Sequence, residues 1–328
     1  MIFVFISLLF YHNLGLSSIV LVTFFALLFY FFVAVNLSLM KKIAILIVAL
    51  FLFASCGPGA EGPESANSSD GKIKVIATIP PLADMIRSIG GDQVEVVQIM
   101  PAGASPHIFE VSPSLVENFE GATVAFSIGH GLDNWADDLL GSVDGLETLV
   151  VDDSVKTKIF DGDPHYWLSP RNANIMARNV SNRLVELDPE NIRIYMEGLL
   201  NYQDAINAAE DAIKLELSDL QNRKILVFHD SWNYFADAFD LEVVDSFVAV
   251  PGQEPTAKEL EALYGIVEAE GINDVYSEPQ LSPETMRPFV EDLGLELHVM
   301  DPIGGEAGRE SIAEILKYNA FLIYEAQK

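Results

Sequence analysis

The sequence predicts an α/β protein built from two lobes, each around a parallel β-sheet, which are joined by one long connecting helix. Three observations predict this fold. Short apolar segments rich in β-branched residues alternate with segments of helical spacing. A single long amphipathic stretch divides these segments into two sets. The chain of 328 residues is long enough for two lobes of ordinary size after a strongly apolar start.

The first 55 residues contain only two charged side chains, Lys41 and Lys42, and are typical of targeting sequence rather than of a folded domain. Residues 1–39 include an apolar segment long enough to span a membrane. A complete export signal nevertheless begins after it, at Met40. The simplest interpretation is that Met40 is the true start and that residues 1–39 are a start-site artefact. A real additional anchor is the alternative.

Residues 40–55 have the three parts of a lipoprotein signal peptide, which are a positive start, a short apolar run and small residues at the cleavage point. Cys56, the single cysteine of the chain, follows directly. This context resembles a bacterial lipobox, although Phe53 stands where leucine is usual. We therefore expect Cys56 to be the lipidated first residue of the mature protein. Residues 56–71 are rich in Gly, Pro and Ser, and they predict a flexible tether behind that cysteine.

The N-terminal α/β lobe is predicted over residues 72–188 and the C-terminal α/β lobe over residues 223–328. Each contains four short apolar segments with strand character, separated by segments of helical spacing. Such strands are typical of parallel sheets that helices cover on both faces. The predicted strands of the first lobe are 72–78, 94–100, 123–129 and 146–152. Those of the second lobe are 224–230, 241–247, 272–278 and 295–301.

The linking helix is predicted over residues 189–222. It starts with Asp188-Pro189, a typical helix beginning, and neither Gly nor Pro interrupts its second half. Apolar residues recur at steps of three or four, which indicates one buried stripe along a single helix. The stripe consists of Ile192, Tyr195, Leu199, Tyr202, Ile206, Ala209, Ile213, Leu217 and Leu220.

The charge of the chain excludes one class of partner. With 48 acidic and 19 basic residues, the formal net charge is −29. Binding to nucleic acid requires clustered Lys and Arg, so no nucleic-acid partner is expected. The acidity suits a solvent-exposed protein that attracts cations weakly from a distance, although plain solubility is the simpler interpretation for most of these charges.

Four residues from both lobes are candidates for one metal site. His229 and Asp301 lie at the carboxyl ends of predicted strands of the second lobe, where ligands bind in open parallel sheets. His107 and His165 lie in loops of the first lobe. Imidazoles with one carboxylate suit a divalent first-row metal ion such as Zn²⁺. Taken singly, each histidine is more often a structural residue, and the spacing forms no compact metal-binding motif.

A metal-bound histidine also needs its other ring nitrogen held by a carboxylate or carbonyl. Glu110, Asp163 and Asp230 are close enough in sequence to do this, although each is as readily an ordinary exposed acid. His130 is expected near the cleft without being a ligand. His298 lies inside a predicted strand and is expected to be structural.

Six short segments of this chain, taken in order along the sequence, match motifs that are known from one protein family. These are SPHIFEVSP around His107, GLDNWADDL, DPHYWLSP around His165, FHDSWNYF around His229, SEPQLSP, and MDPIGG around Asp301. Together they resemble the metal-binding receptors (solute-binding proteins) of bacterial ABC uptake systems for zinc and manganese. The resemblance covers nearly all of residues 72–328.

The resemblance implies a fold of two α/β lobes on one long helix, which agrees with the pattern above. It carries over His107, His165, His229 and Asp301 as the ligands of one Zn²⁺ or Mn²⁺ ion in the cleft. Manganese-type members often have an acidic residue where this chain has His229, and this difference favours zinc. The histidine-rich acidic loop of many zinc-type members is absent from this sequence.

The resemblance further implies a receptor in the cell envelope, exposed to the periplasm or the cell surface and anchored to membrane lipid through acylated Cys56. It would deliver the ion to an ABC permease, and we expect it to be a monomer. The alternatives are a manganese-specific receptor of the same family, a metal-dependent surface adhesin and a metallohydrolase. Four protein ligands would leave no open coordination position for the water that a hydrolase needs, so no enzymatic activity is expected.

Overall fold

The computed structural model describes residues 71–152, 160, 162–248, 256–280, 284 and 286–328. These residues belong to one compact unit, Ser65–Lys328. The predicted upstream segment, the signal peptide, Cys56 and the tether as far as residue 70 lie outside the described residues. Within the described part of the chain, every helix is too short or too polar to cross a bilayer.

The N-terminal lobe is built on a four-stranded parallel sheet. Its strand order is β2-β1-β3-β4, so the first strand lies inside the sheet, and β2 and β4 form its edges. All four strands lie within the segments predicted for them. The strands are β1 (Ile73–Ala77), β2 (Val94–Gln98), β3 (Val124–Ser127) and β4 (Glu147–Val150).

The C-terminal lobe repeats this arrangement with a second four-stranded parallel sheet, in the order β6-β5-β7-β8. The prediction of two lobes with parallel sheets is therefore confirmed. The strands are β5 (Lys224–His229), β6 (Glu242–Val248), β7 (Asp274–Ser277) and β8 (Glu296–Val299).

Helices connect the strands, as parallel strands require. Those of the N-terminal lobe are α1 (Pro80–Gly90), α2 (Asp137–Gly141) and α3 (Pro170–Leu187). The connecting helix is α4 (Ile192–Glu216). Those of the C-terminal lobe are α5 (Asn233–Phe239), α6 (Ala257–Glu270), α7 (Arg287–Leu293) and α8 (Ile312–Gln327).

Both faces of each sheet are buried, which explains the nearly continuous apolar composition of the inner strands. In β5, Ile225 and Val227 point into one hydrophobic cluster, whereas Leu226 and Phe228 point into another. The first of these clusters extends from the C-terminal lobe along α4 into the N-terminal lobe. The two lobes therefore share one continuous core.

Helix α4 packs against α1 and α3 of the first lobe and against α8 of the second. The predicted stripe is buried from Tyr195 to Leu220, but Ile192 at its start is 49% exposed. The helix is also shorter than predicted, because residues 217–219 form a 3-10 turn. Gly198 allows the closest approach, since a Cβ atom there would lie 2.4 Å from the carbonyl oxygen of Ile89 in α1.

Candidate metal centre

Three histidines from three separate segments lie together where the two lobes meet. His107 lies in a turn after β2, His165 directly precedes the 3-10 helix Tyr166–Leu168, and His229 is the last residue of β5. One ring nitrogen of each lies within 4.8 Å of those of the other two. The Nε2 atoms of His107 and His165 are 3.1 Å apart. We call these residues the three-histidine cluster.

Asp163 orients His165. Its Oδ1 lies 2.7 Å from Nδ1 of His165 and also accepts a hydrogen bond of 2.9 Å from the backbone N–H of the same residue. The two side chains are 3% and 7% exposed, so the contact is largely buried, with Asp163 at the edge of the open cleft. A proton on Nδ1 satisfies this contact and leaves a lone pair on Nε2, the atom that faces His107.

Glu278 orients His229 in the same manner, although it comes from the loop after β7. Its Oε1 lies 3.2 Å from Nδ1 of His229 and also accepts hydrogen bonds from Ser231 Oγ (2.6 Å) and Trp232 Nε1 (3.2 Å). Within the described part of the chain, Nε2 of His229 is buried without a hydrogen-bond partner. With the proton on Nδ1, this Nε2 presents an unused lone pair, which is the group that a metal ion requires.

The sequence prediction missed Glu278. It had offered Asp230 and Glu110 as acids that orient ligand histidines, but neither forms a hydrogen bond to the three-histidine cluster in the described structure. The carboxylate of Asp230 instead accepts a hydrogen bond of 2.8 Å from Asn233, and Glu110 is exposed. The available signal was the position of Glu278 directly after a strand, at the carboxyl end of the sheet.

Asp301, the predicted fourth ligand, is not part of the 4.8 Å grouping, although the next two residues, Pro302 and Ile303, line the small cavity beside the three rings. Its side chain is 3% exposed. Its Oδ1 accepts hydrogen bonds from the backbone N–H groups of Ile303 (3.0 Å) and Gly304 (2.9 Å). Its Oδ2 lies 3.1 Å from Nη1 of Arg309. The carboxylate is therefore held by its own loop.

A hydrogen bond between the lobes links the segments that carry His165 and Asp301. The indole N–H of Trp167 donates to the carbonyl oxygen of Pro302 over 2.8 Å, and both groups are buried. The ring of Trp167 also lies 5.3 Å from the ring of His165. Because Pro302 directly follows Asp301, this hydrogen bond holds the Asp301 segment against the loop that carries His165.

The pKa of His107 is lowered to about 3, mainly because burial disfavours the charged imidazolium and also because His165 and His229 lie close. A neutral ring keeps a nitrogen lone pair. At neutral pH, His107 is therefore in the form that a metal ion binds.

The two other histidines of the lobes lie apart from the cluster. His130 has a positive φ of 53°, and its Nε2 lies 2.7 Å from Oδ2 of Asp152. It borders the same cleft without joining the three rings. His298 lies in β8, and its Nε2 is 2.7 Å from Oδ1 of Asp274.

Two cavities adjoin the three-histidine cluster. The smaller has a volume of about 10 Å³ and is lined by the three rings together with Glu278 and Gln280. This is about the space of one water-sized sphere, which fits a single small ion. The larger is an open cleft of about 580 Å³ that the three rings also border.

The geometry of the cluster suits coordination of one divalent ion. Two nitrogens bound tetrahedrally to Zn²⁺ at about 2.0–2.1 Å lie roughly 3.3 Å from each other. The 3.1 Å between the Nε2 atoms of His107 and His165 is close to this value. Carboxylates hold the opposite nitrogens of two of the rings, as is usual in metal sites.

Comparison with known proteins identifies a family with the same fold. Residues 75–326 match the family model described as "ZnuA: Zinc-uptake complex component A periplasmic". A solved structure of a ZnuA deletion mutant with zinc bound is 27% identical to this chain, with a TM-score of 0.70. The match covers 78% of this chain and 98% of that one.

Two curated relatives carry names that refer to metal binding and to a lipid anchor. The manganese-binding lipoprotein MntA of Halalkalibacterium halodurans is 26% identical, over 85% of this chain and 97% of its own length. The metal ABC transporter substrate-binding lipoprotein SsaB of Streptococcus sanguinis is 27% identical, over 87% of this chain and 99% of its own length.

Proposed function

This chain belongs to the ZnuA family of periplasmic zinc-uptake components, and we propose that it is a receptor that binds one divalent metal ion and delivers it to an ABC permease. The bound ion is Zn²⁺ in preference to Mn²⁺. The ion is the cargo of the protein rather than a cofactor, and the protein acts as a transport receptor, not as an enzyme.

One observation carries this proposal. The three-histidine cluster surrounds a cavity of about 10 Å³, and the buried Nε2 of His229 has no hydrogen-bond partner among the described residues. A buried nitrogen without a partner costs free energy unless something binds it. A single metal ion in the cavity satisfies this nitrogen and the lone pairs of His107 and His165 at once.

Asp301 is proposed as the fourth ligand. Its position just beyond β8 supports this role, because it lies at the carboxyl end of the same sheet as His229. Its Oδ1 can keep the two backbone N–H groups of its loop while Oδ2 turns from Arg309 to the ion. The carboxylate then supplies one negative charge against the two positive charges of the metal.

The donor set favours zinc. Imidazole nitrogen suits Zn²⁺, whereas Mn²⁺ prefers carboxylate, carbonyl and water ligands. Three of the four proposed ligands are histidines, so we expect Zn²⁺ to displace Mn²⁺ in a competition. Preferential retention of Mn²⁺ after dialysis against equal concentrations of both ions would instead support the manganese-specific alternative.

The relatives support the cellular setting. MntA and SsaB are both named lipoproteins, and SsaB is named as a substrate-binding component of a metal ABC transporter. We propose that Cys56 of this chain is acylated, that the protein is monomeric, and that it stands outside the cytoplasmic membrane next to its permease. Replacement of Cys56 with Ala should release the protein from the membrane fraction of expressing cells, and continued membrane attachment would contradict the anchor.

A matched pair of substitutions tests the metal site. His165→Asn removes a proposed ligand, whereas His130→Asn alters a second cleft histidine that also pairs with an aspartate at 2.7 Å. Asn tolerates the positive φ of residue 130, so this control should fold normally. Zinc affinity can be measured by competition with a chromophoric chelator. It should fall by more than about 100-fold in His165→Asn, which exceeds the usual effect of losing a residue that only holds a metal ligand in place.

The control should keep the affinity of the unmodified chain. Unchanged zinc affinity in His165→Asn would contradict the proposed site. A loss of binding in both would show that the cleft as a whole, rather than the three-histidine cluster, determines affinity.

A further inference from the structure

A second group of metal-binding side chains lies on the C-terminal lobe. One ligand atom from each of Asp274, Glu296 and His298 lies within 4.8 Å of those of the other two. Asp274 and Glu296 are the first residues of β7 and β8. They therefore lie at the opposite ends of the strands from His229 and Glu278. The group shares no residue with the three-histidine cluster.

The register of the two parallel strands brings these side chains together. Asp274 pairs directly with Glu296, and Tyr276 pairs with His298. Residues two apart in a strand point to the same face, so His298 projects on the face shared by the two carboxylates. The arrangement follows from the backbone pairing and requires no unusual conformation.

Two of the three side chains are already held in place. Nε2 of His298 lies 2.7 Å from Oδ1 of Asp274, and the ring of His298 packs at 5.4 Å on that of Tyr276. The His298 and Asp274 side chains are 20% and 14% exposed. Their ordering therefore adds little entropy cost to binding. Glu296 is exposed and is free to complete the group from the solvent side.

The two neighbouring carboxylates lack a strong cationic partner. Like charges that lie directly opposite each other on adjacent strands destabilise a sheet. Among the residues that the structure describes, neither Lys nor Arg forms an ion pair with Asp274 or Glu296, and the ion pair that Asp274 does form is with His298. A divalent cation would neutralise the repulsion between the carboxylates and bind the imidazole nitrogen as well.

We propose that Asp274, Glu296 and His298 bind a second Zn²⁺ ion, more weakly than the three-histidine cluster, with water completing its coordination. One imidazole and two carboxylates are ordinary zinc donors, and three protein ligands leave a position open for water. The ion would join β8, an edge strand, to β7 beside it. Because Asp301 lies two residues beyond β8, this second ion would also hold the strand that presents Asp301.

Zinc titration of the full chain by calorimetry tests the second site. The unmodified chain should bind two equivalents, one tight and one weaker. In Glu296→Gln, the weaker equivalent should lose at least about tenfold in affinity while the tight one is unchanged. Glu291→Gln, a matched change of an exposed acid on α7, should leave both equivalents unchanged. Glu296 is exposed, so its substitution should not disturb folding.

Two further variants separate this site from the proposed function. His298→Gln should weaken the same equivalent, whereas His165→Asn should remove the tight equivalent and leave the weaker one. A single equivalent in the unmodified chain would overturn the second site and leave the receptor function intact. A weaker equivalent that is indifferent to both Glu296→Gln and His298→Gln would overturn it as well.

Discussion

The two lobes orient their cluster histidines by different means. In the N-terminal lobe, Asp163 is two residues from His165 and holds it within one loop. In the C-terminal lobe, Glu278 is 49 residues from His229 and reaches it from the loop directly after the neighbouring strand β7. Both contacts place a carboxylate on Nδ1 and leave Nε2 available to the proposed ion. The same chemical result thus depends on a turn in one lobe and on sheet pairing in the other.

The surroundings of the two carboxylates also differ. Glu278 is 4% exposed, and its Oε1 accepts hydrogen bonds from Ser231 and Trp232 as well as from His229. Asp163 borders the open cleft of about 580 Å³, where water can approach it. Water in the cleft can replace a hydrogen bond that is lost at Asp163, but it cannot do so at the buried Glu278. The C-terminal lobe should therefore be the more sensitive of the two to loss of its carboxylate.

Glu278→Gln should have the larger effect. The amide lacks the negative charge that strengthens His229 as a ligand, and it replaces an acceptor by a donor in a buried network. Zinc affinity should fall by about 100-fold relative to the unmodified chain. This is the upper end of the usual range for loss of a residue that holds a metal ligand. Chelator competition measures this loss. Circular dichroism is the control, because an unfolded variant would say nothing about His229.

Asp163→Asn should have a smaller effect. The asparagine oxygen can still accept the hydrogen bonds from His165. Asn233, which donates to Oδ2 of Asp163 over 3.2 Å, keeps its shorter hydrogen bond to Asp230, and water in the cleft can accept from the new amide. A loss nearer tenfold is expected under the same conditions. A loss equal to or greater than that of Glu278→Gln would break the comparison between the lobes, since it would show that burial of the carboxylate does not determine its importance.

His107 extends the comparison, because the described structure gives it no carboxylate partner. Its pKa in the folded protein, about 3, lies below the value of 6.5 for a free histidine. At a pH between these two values, His107 is protonated in the unfolded chain but not in the folded chain. Lower pH therefore favours unfolding. The metal-free protein should lose stability as pH falls below about 6.5.

Denaturant unfolding at several pH values between 7 and 4 measures this dependence. His107→Gln should have a shallower slope than the unmodified chain, because it lacks the group whose pKa is lowered. An identical slope in both proteins would assign the pH dependence to other groups.

The sequence was sufficient for the architecture. All eight predicted strands are present, because parallel strands buried on two faces leave a strong apolar signal. The connecting helix was recognisable from its stripe, although its end at Glu216 and the exposure of Ile192 depend on packing that the pattern does not encode.

The candidate site was predictable only in part. Asp163 could be proposed because it is close to His165 in sequence. Glu278 could not, because its contact with His229 depends on β5 and β7 being neighbours, and strand order is a property of the whole fold. The orientation of Asp301 likewise depends on Arg309 and on two backbone N–H groups, which sequence spacing does not reveal.

The positions of the tryptophans have a practical consequence. The chain contains three, and all of them border the proposed site. Trp135 lines the cleft, Trp167 lies 5.3 Å from the ring of His165, and Trp232 donates to Glu278. Intrinsic tryptophan emission from the entire protein therefore originates beside the proposed metal centre. The molecule thus carries its own optical probe, and we expect loading and release of an ion at this site to change the emission in real time, without a dye or a label.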